Sequence, residues 1–200
     1  MTPTLSPNHT PEARATPIER AIAHEFPFKH CNRLAEPGFK WNRHQAQVIR
    51  QAQVIIDHGG MVVVQGVFGN GKTQIGARFG CQWFKELRRG PSPRYFVSIE
   101  LLDAHRDSYG EKHESPMVQA ESCGLLVLDD LRVPTGKTDH DYEQLNKMLD
   151  IRYRSERPTL ILTNLGDAGL NSVLGEKTID RISDGGALIE LQGKSMRGVA

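Results

Sequence analysis

The stretch GVFGNGKT, residues 66–73, decides the fold because a short apolar run precedes it and a helical pattern follows it. It matches G-x-x-x-x-G-K-[ST], the phosphate-binding P-loop, which requires a strand before it and a helix after it. The run Met61–Gln65 predicts that strand, and residues 72–88 predict the helix. The sequence therefore predicts a nucleotide phosphate site at the end of a buried strand.

The residue types in this loop suit a triphosphate and a divalent cation. Glycines let the backbone approach the phosphates, and the N–H groups of residues 69–73 form an anion cradle at the helix N-terminus. Lys72 is placed to reach the β- and γ-phosphates, and the Thr73 hydroxyl to ligate Mg²⁺. We expect ATP and Mg²⁺ to be bound. The predicted nucleotide-binding residues are Gly66, Gly69, Asn70, Gly71, Lys72, Thr73 and Gln74.

Two later strands also end in polar side chains. The run GLLVLDDL, residues 124–131, ends a buried strand in two carboxylates, of which Asp129 is expected to hold Mg²⁺ through water. Asp130 is expected to orient or deprotonate the attacking water. The run TLILTN, residues 159–164, brings Asn164 to the same sheet edge, where it could bond the γ-phosphate or that water. The alternative is that these side chains merely cap the exits of strands.

The chain from residue 61 onward alternates short apolar runs with helical patterns. Runs that are apolar throughout predict strands buried on both faces, and hence a parallel sheet covered by helices in an α/β fold. Besides the three strands above, we predict strands over residues 95–99 and 187–191, a helix from about residue 101 and a helix over 142–155.

The N-terminal part has a different composition. Residues 1–17 contain four of the eleven prolines and predict a flexible tail. Thr16, Pro17 and Glu19 have the spacing of a capped helix start, and a second helix is predicted over residues 42–56. The first helix has a narrow apolar stripe that either packs on the core or docks on a partner: Ile18, Ile22 and Phe26.

Composition excludes several classes of protein. The 25 Lys and Arg residues against 24 Asp and Glu give a net charge of +1, so no overall basic field attracts nucleic acid or membrane. No apolar run approaches the roughly 20 residues of a spanning helix, and no signal peptide is visible. Three widely spaced cysteines argue against a zinc site and favour the reducing cytoplasm as the location.

Charge is nevertheless uneven along the chain. Residues 72–94 carry six basic side chains and one acidic side chain. Four of the basic residues surround the predicted helix end: Lys85, Arg88, Arg89 and Arg94. They fit either a solvated helix C-terminus, whose dipole favours cations, or a contact surface for a phosphate backbone, and the sequence leaves both open.

Four segments together resemble one protein family. They are GVFGNGKT, LLVLDDL (125–131), YEQLNKMLDIRYRSERPTLILTN (142–164) and LGEKTIDRISDGGALIELQGKSMR (174–197). In this order they resemble the AAA+ superfamily and, within it, the DnaC/IstB group of helicase loaders and transposition helpers. The resemblance implies a three-layer P-loop NTPase fold with strand order 5-1-4-3-2 and no C-terminal lid domain. It assigns an ATPase domain to residues 41–200. Residues 1–40 are expected to be a flexible tail with a short helical segment, for which docking on a partner and packing on the core both stay open.

The resemblance also implies roles for individual residues. Asn164 resembles the residue called sensor 1, and Arg197 in SMR resembles a sensor-2-like arginine. Arg181 in IDRI stands where the family carries an arginine finger, which acts on ATP in a neighbouring subunit. A homo-oligomer would then complete the site, and a lone subunit would hydrolyse slowly. In a competing interpretation, Arg181 pairs with Asp180 or Asp184 on a surface helix.

The leading functional hypothesis is an ATP-hydrolysing accessory protein of DNA replication that loads a replicative helicase onto single-stranded DNA. The alternatives are a helper ATPase that serves a transposase and a nucleotide-gated binding module with little hydrolysis. A small-molecule kinase is disfavoured because no arginine-rich lid is evident. Single-stranded DNA would need cations and an aromatic platform. The candidates are Tyr142 with Lys137, and the cluster Lys85, Arg88, Arg89 and Arg94.

Overall fold

A computed structural model describes residues 15–86, 90–108, 115–133 and 139–193. The helices are α1 (Pro17–Ala23), α2 (Phe28–Arg33), α3 (Arg43–Asp57), α4 (Lys72–Lys85), α5 (Ser98–Asp107), α6 (Pro116–Ser122), α7 (Asp139–Arg154) and α8 (Asp167–Ser183). The strands are β1 (Met61–Gln65), β2 (Arg94–Val97), β3 (Leu126–Leu131), β4 (Thr159–Thr163) and β5 (Ala187–Glu190). Within these ranges, every helix is too short or too polar to cross a membrane.

The five strands form one parallel sheet in the order β2-β3-β4-β1-β5, which is the predicted order 5-1-4-3-2. Helices cover both faces. Val62 and Val64 of β1 belong to the cluster under α1, α3 and α4, whereas Met61 and Val63 belong to the cluster under α5 to α8. This alternation explains why the strand sequences are apolar throughout, and it confirms the predicted α/β fold.

One error in the predicted elements lies at the end of β2. We predicted a strand over residues 95–99, but β2 ends at Val97 and α5 begins at Ser98. The Ser98 hydroxyl donates to the carbonyl of Asp130 at 2.9 Å, which holds the start of α5 beside β3. Sequence analysis also missed α2 and α6, which have six and seven residues. Such short helices hold too few turns to show an apolar period.

The N-terminal segment packs on the core. Thr16 and Glu19 form the predicted capping box of α1, and Ile18 and Ile22 pack against the cluster that contains α4. Phe26 is 2% exposed and lies on Gly80, where an added Cβ would come within 2.3 Å of its ring. The apolar stripe of α1 therefore packs on the core, which is one of the two placements considered from the sequence. Residues 1–14 of the predicted tail lie outside the described ranges.

A fully buried arginine on α7 connects three elements. Arg152 is 0% exposed, and burial lowers the pKa of its guanidinium. The group donates to four backbone carbonyls and one hydroxyl, in Ala120, Glu121, Cys123, Pro158 and Thr159. These bonds fix α7 to the end of α6 and to the start of β4.

Candidate active site

The carboxyl ends of β1, β3 and β4 meet at one edge of the sheet, because these strands are neighbours in the order β3-β4-β1. We call this edge the phosphate rim, defined by residues 66–73, 129–130 and 164. It brings together the three predicted motifs, which are far apart in the sequence. Ligands of open α/β sheets bind at such an edge.

The loop before α4 has the backbone geometry of an anion site. Gly71 is the N-cap of α4 and has φ 99°, a left-handed conformation that favours glycine. Because Gly71 has no side chain, the N–H groups of the first helical turn are not covered by a capping side chain. A helix N-terminus of this kind binds phosphate through those N–H groups and the helix dipole.

Lys72 lies inside this loop. Its side chain is largely buried, at 7% exposed. The Nζ group donates to the carbonyls of Gly66 at 2.7 Å and Val67 at 2.9 Å, to Asn70 Oδ1 at 3.2 Å, and to Asn164 Oδ1 at 2.7 Å. The loop and the end of β4 thus share one ammonium group. These four acceptors are neutral oxygens, and phosphate oxygens would bind the ammonium more strongly than they do.

Asp129 and Thr73 form the predicted cation site. Asp129 is 6% exposed, and its Oδ2 accepts from the Thr73 hydroxyl at 2.7 Å and from the Tyr95 hydroxyl at 2.6 Å. A hydroxyl that donates its proton to a carboxylate keeps lone pairs for a metal. The described residues contain no group of three or more His, Cys, Asp or Glu side chains that could hold a metal. This donor set suits Mg²⁺, which takes one or two protein ligands and completes its shell with phosphate oxygens and water.

A bulge in β3 orients the second carboxylate. The pairing with β4 shifts between Leu128 and Leu131, and Asp130 has φ 51°, which is strained for a residue with a side chain. Asp130 Oδ1 lies 3.4 Å from Asn164 Nδ2, and its Oδ2 lies 3.6 Å from Arg132 Nε. The strained backbone therefore places the Asp130 carboxylate beside the Asn164 amide, so that one small molecule could contact both groups.

Two predicted nucleotide-binding residues have side chains directed elsewhere. Asn70 is 3% exposed, donates to the carbonyl of Leu191 at 2.8 Å, and accepts from Gln45 at its own carbonyl. The Gln74 side chain makes two bonds to His30 of α2, at 2.9 and 2.6 Å. These side chains support the loop and α2, so only the backbone N–H groups of the two residues remain for phosphate.

Arg181 lies toward the opposite edge of the sheet. It stands near the end of α8, which leads into β5, and the first residue of β5 pairs with Val62 near the start of β1. Its guanidinium forms an ion pair with Asp150 of α7 and lies 5.2 Å from the centre of the Tyr153 ring. The competing interpretation from the sequence paired Arg181 with Asp180 or Asp184 of its own helix. The structure instead shows its ion pair with Asp150, a carboxylate on another helix.

The Arg181 side chain lies in an open groove between α7 and α8. The groove has a volume of about 600 Å³, and its walls include Tyr142, Asn146, Asp150 and Gly175. Arg181 is 17% exposed and thus accessible from this groove. None of the rim residues lines it.

The candidate DNA residues that the structure describes, Tyr142, Lys85 and Arg94, do not lie on one surface. Tyr142 is half-buried and packs on the core cluster under α5 to α8, so it anchors its own helix. Lys85 is exposed at the end of α4, on the other face of the sheet, and Arg94 lies 3.9 Å from Glu25. The remaining predicted residues lie outside the described ranges: Arg88, Arg89, Lys137 and Arg197.

Tyr95 is a rim contact that sequence analysis missed. It lies on β2, and burial together with the charge of Asp129 raises the pKa of its hydroxyl, so that it remains a donor. The pairing of Val97 with Asp129 brings β2 beside β3. This neighbourhood depends on strand order, and the single signal in the sequence was a polar aromatic residue at the start of an apolar run.

The sequence was compared with known families and proteins. No protein-family model matches the chain. The replicative helicase loader DnaC of Escherichia coli (strain K12) is 30% identical over 131 residues, which are 63% of this chain and 51% of that protein. DnaC of Buchnera aphidicola subsp. Acyrthosiphon pisum (strain APS) is 35% identical over 145 residues, 70% and 56% of the two chains. The chain spans about half the length of the curated relatives it matches.

The fold was compared with solved structures. The DnaC helicase loader matches with a TM-score of 0.68 at 22% identity, over 83% of this chain and 100% of that one. DnaI matches with 0.64 at 19% identity, over 82% and 89%. The replication initiator DnaA bound to AMPPCP and single-stranded DNA matches with 0.63 at 18% identity, over 81% and 50%. The AAA+ fold is confirmed, and together with the sequence relatives these matches confirm the resemblance to DnaC-type proteins.

Proposed function

We propose that this chain, a DnaC-type AAA+ protein in sequence resemblance and fold, binds and hydrolyses ATP with Mg²⁺ to load a replicative helicase onto single-stranded DNA. The observation that carries the proposal is the convergence of Lys72, Thr73, Asp129 and Asn164 at one rim. The names of the relatives concern helicase loading, and one structural neighbour was solved with a nucleotide analogue and single-stranded DNA.

Each rim residue has a role in this proposal. The N–H groups around Gly71 hold the phosphates, and Lys72 exchanges its carbonyl acceptors for phosphate oxygens. Thr73 and Asp129 hold Mg²⁺, which supplies charge neutralisation at the phosphates. Asp130 and Asn164 orient the attacking water, with the carboxylate as proton acceptor.

Assembly completes the site. Arg181 lies near the amino ends of the strands, and the phosphate rim lies at their carboxyl ends. Strands of about five residues span roughly 16 Å, so the guanidinium is remote from the phosphates of its own chain. In a homo-oligomer it can reach the ATP of a neighbouring subunit and stabilise the charge of the transition state there. Its accessibility from the open groove supports this use.

The helicase is favoured over a transposase as the partner because the relatives reported above are named as helicase loaders. Co-purification from the native host tests the choice. A replicative helicase in the eluate supports the proposal. A transposase in its place would overturn the helicase role and favour the transposition helper.

Hydrolysis is tested with Asp130→Asn, which keeps the shape of the side chain and removes the base. Phosphate release with single-stranded DNA should rise with protein concentration in the wild type. We expect the variant to be about 10²–10⁴-fold slower while it retains ATP binding. Equal rates at every protein concentration would overturn hydrolysis and leave a nucleotide-gated binding module.

The matched control is Asp57→Asn. Asp57 is exposed at the end of α3, beside the start of β1 and away from the rim. The control carries the same chemical change, so its phosphate release should equal that of the wild type.

A further inference from the structure

The Asp129 carboxylate has nearly all its hydrogen-bonding capacity occupied. A carboxylate offers about four acceptor positions, two on each oxygen. In the described part of the chain, Oδ2 accepts from Thr73 at 2.7 Å and from Tyr95 at 2.6 Å, and Oδ1 accepts from the Asp130 backbone N–H at 2.7 Å. The position that these bonds leave open is on Oδ1.

Tyr95 is built rigidly into its place. Its side chain is 8% exposed and belongs to the core cluster that contains α4. The ring contacts Phe26, with the centroids 5.7 Å apart, and Phe26 is itself fixed against Gly80. The phenol therefore presents its hydroxyl to Asp129 from a fixed ring and not from a mobile side chain.

We propose that Tyr95 is a positioning residue for the cation site: by occupying Asp129 Oδ2, it fixes the rotation of the carboxylate and directs Oδ1 to the hydration shell of Mg²⁺. The inference rests on the proposed function, since it assigns a supporting residue to the same site. Tyr95 acts through Asp129 and touches neither the nucleotide nor the cation.

The effect should appear in cation affinity. A site that gives Mg²⁺ few protein ligands depends on the orientation of each ligand. Removal of a hydrogen bond that orients a metal ligand commonly lowers metal affinity about 10–100-fold. Without the phenol, Oδ2 regains a vacant acceptor position and the carboxylate is free to turn about its Cβ–Cγ bond. The Tyr95 hydroxyl donates to Asp129, whereas the phosphate cradle uses the backbone N–H groups around Gly71, so nucleotide affinity without cation should be unchanged.

The test is Tyr95→Phe, which keeps the ring and its contact with Phe26. Binding of a fluorescent, non-hydrolysable ATP analogue is measured in EDTA and then against Mg²⁺ concentration. We expect unchanged affinity in EDTA and a half-saturating Mg²⁺ concentration raised about 10–100-fold. High Mg²⁺ should restore turnover. An unchanged Mg²⁺ requirement, with or without a lower melting temperature, would overturn the inference and assign Tyr95 to core packing.

Tyr153→Phe is the matched control. Its hydroxyl donates to Asp184 at 2.5 Å, so the control also removes one bond between a phenol and a carboxylate, away from the rim. Its Mg²⁺ requirement should equal that of the wild type. The wild-type titration separates the two proposals. If the wild type binds the analogue without any Mg²⁺ dependence, the cation site of the proposed function is wrong and the inference falls with it.

Discussion

Two arginines on neighbouring helices have opposite surroundings. Arg152 of α7 is fully buried and donates to four backbone carbonyls and a hydroxyl. Arg181 of α8 is 17% exposed at an open groove and is held by the carboxylate of Asp150 and the ring of Tyr153. Both lie in the segments that carry the family resemblance. The two residues are of the same type, but their surroundings differ. Arg152 is enclosed and can only support the fold, whereas Arg181 is accessible to another molecule.

The physical difference lies in what each guanidinium can exchange. Backbone carbonyls around Arg152 are fixed by the helices and strands that they belong to, and water cannot replace the cation. The guanidinium of Arg181 is reached from the open groove, so an anion that carries more charge than one carboxylate could compete with Asp150 for it. A triphosphate bound to a neighbouring subunit is such an anion.

The largest effect is expected for Arg181→Ala. Loss of an arginine finger lowers turnover by about 10³–10⁵-fold, whereas ATP binding should stay near that of the wild type. Phosphate release at assembling concentrations measures this. Mixing with Lys72→Ala subunits, which supply an intact finger, should restore part of the turnover. Absence of rescue, in mixtures shown by size-exclusion chromatography to assemble, would contradict action in trans.

A smaller free-energy change is expected for Arg152→Met, and it concerns folding. Removal of the cation leaves buried carbonyls without a donor, which should lower the free energy of unfolding by about 3–5 kcal/mol. Urea denaturation measures the loss. Arg154→Met is the matched control, because Arg154 is exposed on the same helix and forms a surface pair with Asp150. Equal losses in the two variants would remove the distinction between the two arginines.

The smallest effect is expected for Asp150→Asn, which removes the charge beside Arg181. Because both side chains are less than one-fifth exposed, the free energy of unfolding should fall by about 1–3 kcal/mol. Turnover of the assembled protein should persist, since the finger remains. If this variant loses turnover as completely as Arg181→Ala, the ion pair itself would be the functional unit. Phosphate release and urea denaturation of the same sample decide between these outcomes.

Local signals predicted most of the elements. The capping box at Thr16 marks the start of α1, and the helix predicted over residues 42–56 is α3, which begins at Arg43. β1 has the bounds that its apolar run predicted. The end of β2 was predicted wrongly, because the apolar Ile99 continues the pattern although the backbone turns at Ser98. Packing against β3, and not the local sequence, decides where that strand ends.

The sequence alone determined where a phosphate site is to be expected, because the loop from Gly66 to Thr73 matches the P-loop pattern in eight consecutive residues. It also determined the α/β class, since strands buried on two faces must be apolar throughout. Only the tertiary structure decided that Tyr95 supports Asp129, that Arg152 is enclosed, and that Arg181 faces an open groove. These properties depend on which strands and helices become neighbours, and such contacts join residues too distant in the chain for any local pattern to record.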